Sequence, residues 1–332
     1  MTSRKTNQSR KLSFQSLEDR CLMAGNVTAA MSNHSLTLTG DNLDNEIRIT
    51  QVAANQFKID SVSGLTTVNF KDSQIFTVTG NISVNFKAGN DNLRVIGTPS
   101  NYTNLPGSLN IVLGDGNNQL QMYNASVGGN LSVSTGTGQN DLYVSNMSIG
   151  SSTINSGNND ARFNLGLGIN TLALNYMQAE RDLLINQQSG SLKATLIGGN
   201  VGRNASIQTG NGNDSVQINE YYFAKQLNIQ TGAGDDQVML GENTASTGKP
   251  SSKMGIHADS VFADLGAGND TLRVYNAGPV NYNGNTGTDN LFHDDGQNYG
   301  SAYYTQGFEY VDGVLQTSDG GLHHQPHVGL KV

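Results

Sequence analysis

The chain of 332 residues has no tryptophan, a single cysteine, five prolines and few charged side chains. One cysteine, Cys21, excludes an intrachain disulfide, so stability must come from packing or from bound ions. No apolar run approaches the ~18 residues of a membrane-spanning helix. Charged residues make up 14% of the chain and the net charge is −8, a balance that argues against a nucleic-acid partner.

Glycine, by contrast, is abundant, with 40 residues, and asparagine, serine and threonine fill most of the polar positions. Many glycines with few prolines predict tight turns rather than a disordered linker. Polar but uncharged surface positions are typical of β-structure whose side chains form hydrogen-bonded rows.

A short unit recurs along most of the chain. It consists of two alternating apolar residues, a Gly-x-Gly turn, an Asn or Asp, and two more alternating apolar residues, as in residues 261–274. Numbering the first glycine of each turn as position zero places the unit at Gly114, Gly136, Gly166, Gly210, Gly232 and Gly266, with Lys87 and Gln188 in register at degenerate copies. Positions −5, −3, +6 and +8 are apolar in all eight copies, and position +2 is always glycine.

Alternation with a period of two predicts strands, and recurrence about every 22 residues predicts strands stacked once per coil. We therefore predict an all-β fold: a single-stranded, right-handed parallel β-helix of about 22 residues per coil, with capping β coils at both ends. Four segments are predicted: an export segment, expected to be disordered, over 1–25; an irregular β cap over 26–80; the β-helix repeats over 81–296; and a C-terminal cap with a disordered tail over 297–332.

The N-terminal segment Phe14-Gln15-Ser16-Leu17-Glu18-Asp19-Arg20-Cys21-Leu22 lacks the apolar region of a secretory signal. It resembles the short LEPR-x-L-type sorting segment of planctomycete extracellular proteins, with Leu17, Glu18, Arg20 and Leu22 matching and Asp19 in place of proline. This resemblance implies an extracellular or cell-surface location and implies nothing about activity.

Position +4 of the unit is a polar column and the best candidate for a binding site. It is Asn in the middle of the chain and Asp in the last four copies, which gives Asp214, Asp236, Asp270 and Asp289. Carboxylates ~5 Å apart repel by roughly 1 kcal/mol in water and about 3 kcal/mol at an effective dielectric of 20. A bound cation, raised pKa values or side chains turned into solvent would relieve that repulsion. We expect the last of these, with the aspartate side chains solvated at the turns. Stacked asparagines, in contrast, can hydrogen-bond from coil to coil.

The units around those aspartates resemble the calcium-binding nonapeptide of the RTX repeat family, for example Gly266-Ala267-Gly268-Asn269-Asp270. The resemblance implies Ca²⁺ as a cofactor, with Asp214, Asp236, Asp270 and Asp289 as ligands. It departs from the family where Thr209, Thr231 and Leu265 replace the first glycine of the family's Gly-Gly pair, and the units are not in tandem.

The favoured function is a non-catalytic, structural or adhesive protein of the cell surface or extracellular matrix, with surface proteins or glycans as partners. One alternative is an RTX-like calcium-binding module. The other is a polysaccharide lyase or hydrolase, for which His257 beside Asp259 is the only local acid-base pair near the acidic units. Catalytic residues are therefore predicted to be absent, and the sequence leaves the oligomeric state open.

Overall fold

The computed structural model describes residues 25–150, 158–241, 255–275, 280–294, 303–306, 308, 310–311, 314–315 and 321–323. These residues contain strands, turns and irregular segments but no helix, so the all-β prediction is confirmed. Hence the described ranges contain no helix long and apolar enough to cross a membrane. The predicted sorting segment falls outside them, apart from Gly25.

The strands, in chain order, are β1 Gly25–Ser32, β2 Ser35–Thr39, β3 Glu46–Ala53, β4 Gln56–Ser61, β5 Thr66–Val68, β6 Ser73–Thr77, β7 Ile82–Asn85, β8 Asn92–Ile96, β9 Thr103–Leu105, β10 Leu109–Val112, β11 Gln119–Val127, β12 Leu131–Ser134, β13 Gly138–Ile149, β14 Ala161–Asn175, β15 Gln178–Ala179, β16 Leu183–Ile197, β17 Asn200–Val201, β18 Ala205–Gln208, β19 Ser215–Asn219, β20 Tyr222–Phe223, β21 Gln226–Gln230, β22 Gln237–Leu240, β23 Ser260–Asp264, β24 Thr271–Tyr275, β25 Val280–Asn283, β26 Asn290–Asp294, β27 Tyr303–Gln306, β28 Tyr310–Val311, β29 Val314–Leu315 and β30 Gly321–His323.

Strands at equivalent positions of successive repeats pair in parallel, in three rows. The first row runs before the turn, through β7, β10, β12, the starts of β14 and β16, β18, β21, β23 and β25. A second row runs after the turn, through β8, β11, β13, β14, β16, β19, β22, β24 and β26. The third row is shorter and contains β9, the ends of β11 and β13, β15, β17 and β20.

Each row pairs residues of the same column. In the first row, for example, Leu183 pairs with Ala205, which pairs with Leu227. The apolar columns at −5, −3, +6 and +8 point inward and form one continuous buried core. Burying one such aliphatic side chain contributes roughly 1.5–3 kcal/mol, so the repeated columns supply most of the stabilisation.

The glycine column at +2 turns the chain between the first two rows. Gly212, Gly234 and Gly268 have φ values of +134°, +143° and +146°, a region that side-chain-bearing residues rarely adopt. A Cβ at Gly234 would lie 2.2 Å from the carbonyl oxygen of Gly212 in the preceding repeat. This column is glycine because both the backbone conformation and the stacking of successive turns leave no room for a side chain.

A second turn with positive φ lies at position +10, and the repeat pattern does not predict it. Asn124, Asn146, Tyr176 and Glu220 have φ values between +51° and +53°, and Gly198 has +62°. The residue types at this position differ, so no column of one residue marks it. The asparagines, which tolerate positive φ, are the only signal that would have found it.

Before β7 the pairing is mostly antiparallel. Strands β1 and β2 form a hairpin, and β3, β4 and β6 form an antiparallel sheet. β2 and β3 then continue into the rows of β7 and β8. Antiparallel pairs return at the other end, between β28 and β29 and between β27 and β30.

Candidate functional site: a buried column of asparagine and aspartate

The polar column at +4 lies inside the molecule. Asp214, Asp236, Asp270 and Asp289 are each at most 2% exposed, as are Asp91 and the asparagines of the middle repeats. The expectation that these aspartate side chains face solvent is therefore wrong. The signal was present in the sequence: position +4 has the same parity as the inward positions +6 and +8, and alternate residues of an extended chain share a face.

The column connects each repeat to the next through side-chain oxygens. The main-chain N–H of Leu192 donates to Asp214 Oδ1 at 2.7 Å, and that of Asp214 donates to Asp236 Oδ1 at 2.8 Å. The N–H of Asp236 donates to Asp270 Oδ1 at 2.8 Å, and that of Asp270 donates to Asp289 Oδ1 at 2.9 Å. One oxygen of each of these four side chains is thus a structural acceptor at a point where the main-chain ladder is interrupted.

Asparagine uses its second side-chain atom as a donor. Asn118 Nδ2 donates to the carbonyl oxygens of Gly114 and Gly116, both at 3.2 Å, and to Asn140 Oδ1 at 2.9 Å. Asn140 Nδ2 continues the row to Asn170 Oδ1 at 2.8 Å. The predicted amide-to-amide hydrogen bonds between stacked asparagines are confirmed, and the amide also satisfies oxygens of its own turn.

Aspartate has an oxygen where asparagine has that donor. Among the described residues, none donates a hydrogen bond to Oδ2 of Asp91, Asp214, Asp236 or Asp270, although these atoms are buried. Such an oxygen carries a large desolvation penalty if it is ionised and unpaired. Two groups can remove the penalty: a proton on the oxygen or a cation bound to it.

The electrostatics of the column favour protonation. Burial raises the pKa of Asp270 to about 7 and that of Asp236 to about 6, and the neighbouring carboxylates add to the effect. Main-chain N–H donors oppose it, as does the Thr231 hydroxyl at Asp236. Burial also raises the pKa of Asp214. The stacked carboxyls therefore differ from surface aspartates, which ionise near pH 4.

Two buried threonines line the same interior. Thr209 Oγ1 donates to the carbonyl oxygen of Thr231 at 2.6 Å, and Thr231 Oγ1 donates to that of Leu265 at 2.7 Å. These are the positions that depart from the RTX pattern, and here their hydroxyls link successive repeats. The departure consequently has a structural role in this chain.

The column is interrupted at Leu192, and a neighbouring side chain replaces it. Gln187, which is buried, accepts a hydrogen bond from Asn170 Nδ2 at 3.0 Å through Oε1 and donates to the Ser189 carbonyl oxygen at 3.3 Å. The apolar and glycine columns of the repeat do not point to Gln187. Its signal is a polar residue at an inward position of the repeat in which the column at +4 has a leucine.

An exposed row runs beside the buried column, one residue earlier in each turn. The Asp235 N–H donates to Asn213 Oδ1 at 3.0 Å, the Asn269 N–H donates to Asp235 Oδ1 at 2.9 Å, and the Thr288 N–H donates to Asn269 Oδ1 at 3.0 Å. These side chains satisfy main-chain donors along the surface of the turns.

A charged cluster also lies just before the first row. The Asp160 carboxylate is buried and accepts hydrogen bonds from Arg181 Nε at 2.6 Å and from an Arg162 guanidinium nitrogen at 2.7 Å. Burial acts to raise the pKa of Asp160, but the two arginines outweigh it and the net shift is downward. This cluster is an ion-pair network that holds neighbouring repeats together.

The structure does not bring the acid-base candidates His257 and Asp259 into a common hydrogen bond. The His257 ring stacks on Tyr222, with 4.8 Å between ring centroids, and Asp259 pairs with Lys225 at 3.3 Å. Tyr222 has an aromatic residue on each side of it in the chain: Tyr221 and Phe223 are both buried, and Tyr222 is exposed.

No group of three or more His, Cys, Asp or Glu side chains within the described ranges is arranged to hold a metal ion. The oxygen donors of the column have the chemistry that Ca²⁺ prefers, but they are stacked in a line. No protein-family model, curated protein or solved structure matches the chain. The column is therefore interpreted from its own geometry.

Proposed function

We propose that this chain is a non-catalytic structural or adhesive protein of the cell surface or extracellular matrix, built as a right-handed parallel β-helix. The observation that carries the proposal is the single register of parallel pairs, in which one column residue lies against its equivalent in the next repeat through the first two rows. The buried apolar columns, the hydrogen bonds between repeats and the threonine hydroxyls all hold one repeat against the next. At ~4.8 Å per stacked strand, nine to eleven coils would give a rod of roughly 45–50 Å.

Export and adhesion are part of the same proposal. The sorting-like segment Leu17–Leu22 supports an extracellular or cell-surface location. A row of uncharged polar side chains along the third strand row, Asn104, Ser126, Ser148, Gln178 and Asn200, supports surface proteins or glycans as partners.

Deleting one repeat tests the coil architecture. Removing residues 205–226 deletes 22 residues, so Leu227 takes the place of Ala205 and every column stays in phase. We expect this variant to fold cooperatively and, in X-ray solution scattering, to lose about 4.8 Å of length at constant cross-section. Removing residues 207–227 instead joins β18 to β21 one residue out of phase, which places Asn228 inward and Ile229 outward, so this control should be much less stable. Equal behaviour of the two deletions would contradict the proposal.

Adhesion is tested separately from architecture. Purified full-length protein should bind cell envelopes or matrix polysaccharide in a sedimentation assay. Substituting Ser126, Ser148 and Gln178 with lysine should reduce binding without lowering the melting temperature. Turnover of an acidic polysaccharide by the purified protein would instead support the enzymatic alternative.

The second candidate function is calcium binding by Asp214, Asp236, Asp270 and Asp289. It is favoured by the buried Oδ2 atoms of the first three, to which none of the described residues donates a hydrogen bond. We expect Ca²⁺ to raise the melting temperature of the wild-type chain relative to EDTA, and to have a smaller effect on Asp236→Asn. A melting temperature insensitive to both Ca²⁺ and EDTA would exclude this candidate.

A further inference from the structure

Asp91 occupies the junction between the N-terminal antiparallel strands and the first parallel repeat. Its Oδ1 accepts the Asn45 main-chain N–H at 2.7 Å and Asn45 Nδ2 at 3.1 Å. On the other side, the Asp91 main-chain N–H donates to Asn118 Oδ1 at 2.9 Å. This one side chain therefore joins the loop before β3 to the turn before β8.

The second oxygen of Asp91 lies where asparagine has a donor. Asp91 is 1% exposed, and none of the described residues donates to its Oδ2. In the next repeat, Asn118 Nδ2 donates to the carbonyl oxygens of positions zero and +2 of its own turn. An ionised Oδ2 in the equivalent place would face oxygen lone pairs, whereas a protonated one would donate to them.

The two turns have the same backbone conformation, which justifies the comparison. Lys87 and Gly114, at position zero, have φ values of +70° and +75°, and Gly89 and Gly116, at position +2, have +130° and +127°. The main-chain oxygens of Lys87 and Gly89 therefore correspond to those that accept from Asn118.

We propose that Asp91 is a neutral acid in the folded chain. Its Oδ2–H donates to the main-chain oxygens of its own turn, as the amide of asparagine does in the next repeat. Ionisation of Asp91 then weakens the junction between β1–β6 and the repeats. The N-terminal end of the stack is then a closure that loosens as pH rises.

The charged groups that face Asp91 reinforce this assignment. Burial raises its pKa to about 7, the main-chain and side-chain donors of Asn45 oppose the rise, and Asp44 and Asp41 from the loop between β2 and β3 add to it. The next repeat presents neutral Asn118, and Lys87 is not part of any ion pair among the residues that the structure describes.

The raised pKa of Asp91 sets the direction in which stability changes with pH. Because the folded state binds the Asp91 proton more tightly than the unfolded state, the stability that this proton contributes is complete below about pH 4. It is lost progressively as the pH rises to about 7, where the folded carboxyl ionises.

The experiment compares the full-length wild-type chain with Asp91→Asn in urea unfolding from pH 4 to 8.5, in EDTA. We expect near-equal stability at pH 4 and a growing advantage for Asp91→Asn above it. The ratio of folded to unfolded protein should rise by as much as a factor on the order of a thousand by pH 8. Hydrogen exchange, compared between the two proteins at the same pH, should place the difference in peptides spanning residues 25–53 and 82–96.

Asp115→Asn is the matched control. Asp115 is an exposed acid in the next turn whose pKa is lowered by hydrogen bonds from Thr137, so its replacement should give no advantage that grows with pH. The proposal is overturned if Asp91→Asn is less stable than the wild type at pH 8, or if the difference between them is constant from pH 4 to 8.5. It is also overturned if Ca²⁺ at pH 8 stabilises the wild type above Asp91→Asn, since a cation would then occupy the place assigned to the proton.

Discussion

Substituting Gly234 with alanine tests whether close stacking of successive turns limits the stability of this chain. Gly234 has φ of +143°, and an added Cβ would lie 2.2 Å from the carbonyl oxygen and 2.6 Å from the carbonyl carbon of Gly212. Both atoms belong to the main chain of the adjacent repeat, so neither can rotate away. The turn must shift, and the columns on both sides of it shift with it.

The expected cost is the sum of two effects less one gain. Holding a non-glycine residue in this backbone region costs about 1–3 kcal/mol, and forcing a methyl group into a packed site costs about 1–3 kcal/mol more. The reduced entropy of the unfolded chain returns about 0.4–1 kcal/mol. We therefore expect Gly234→Ala to lower the free energy of unfolding by about 1–5 kcal/mol.

Gly64 separates the two effects. It has φ of +82°, but an added Cβ would meet nothing within 4 Å, so Gly64→Ala measures backbone strain without the stacking contact. Urea unfolding of both variants at the same pH, monitored by circular dichroism, gives the comparison. Equal destabilisation by the two substitutions would refute the reasoning, because the contact between turns would then contribute nothing.

Two further predictions concern side chains that join repeats. Thr231→Val should lower the free energy of unfolding by about 1–3 kcal/mol, because it leaves the buried Leu265 carbonyl oxygen without the hydroxyl donor, whereas Thr231→Ser should retain most of the stability; thermal unfolding of the two variants checks this. Arg181→Ala should destabilise the chain more at pH 7 than at pH 3. The stability that ionised Asp160 contributes is present above its unfolded pKa, near 4, and lost as the pH falls through its lower folded pKa. Equal loss at both pH values would contradict an electrostatic role for this pair.

The sequence predicts the parallel rows of strands well because their cause is local and repeated. The inward positions of the strands are apolar. They recur every second residue within a strand, and their equivalents recur once per repeat, so Leu183, Ala205 and Leu227 can be aligned by inspection. The strands before β7 lack this repetition. Their antiparallel pairs, such as Ile49 with Ile59, depend on hairpin geometry that no column records.

The sequence points to the column at position +4 as the candidate site, but it does not show directly that this column is buried. Aspartate is usually exposed, so its residue type predicts solvent-facing side chains, although position +4 shares its face with the buried positions +6 and +8. Gln187 was missed for a different reason: it replaces the column through space, five residues away from Leu192 in the chain. The protonation of a buried carboxyl depends on which donors reach it, and a repeat pattern does not contain that information.

Asparagine and aspartate both occur in this column because they meet the same structural requirement. Oδ1 must accept the main-chain N–H of the preceding repeat, and both residues meet that demand, as Asn118 does for Asp91 and Asp236 does for Asp214. The second atom is where they differ: a nitrogen donates to the turn, whereas an oxygen needs a proton or a cation to do the same. Any dependence of this column on pH or calcium must therefore arise at Oδ2. The same Asp-to-Asn substitution separates the two at pH 8. If Oδ2 binds a proton, the substitution stabilises the chain in EDTA; if Oδ2 binds calcium, the substitution reduces the stabilisation that Ca²⁺ provides.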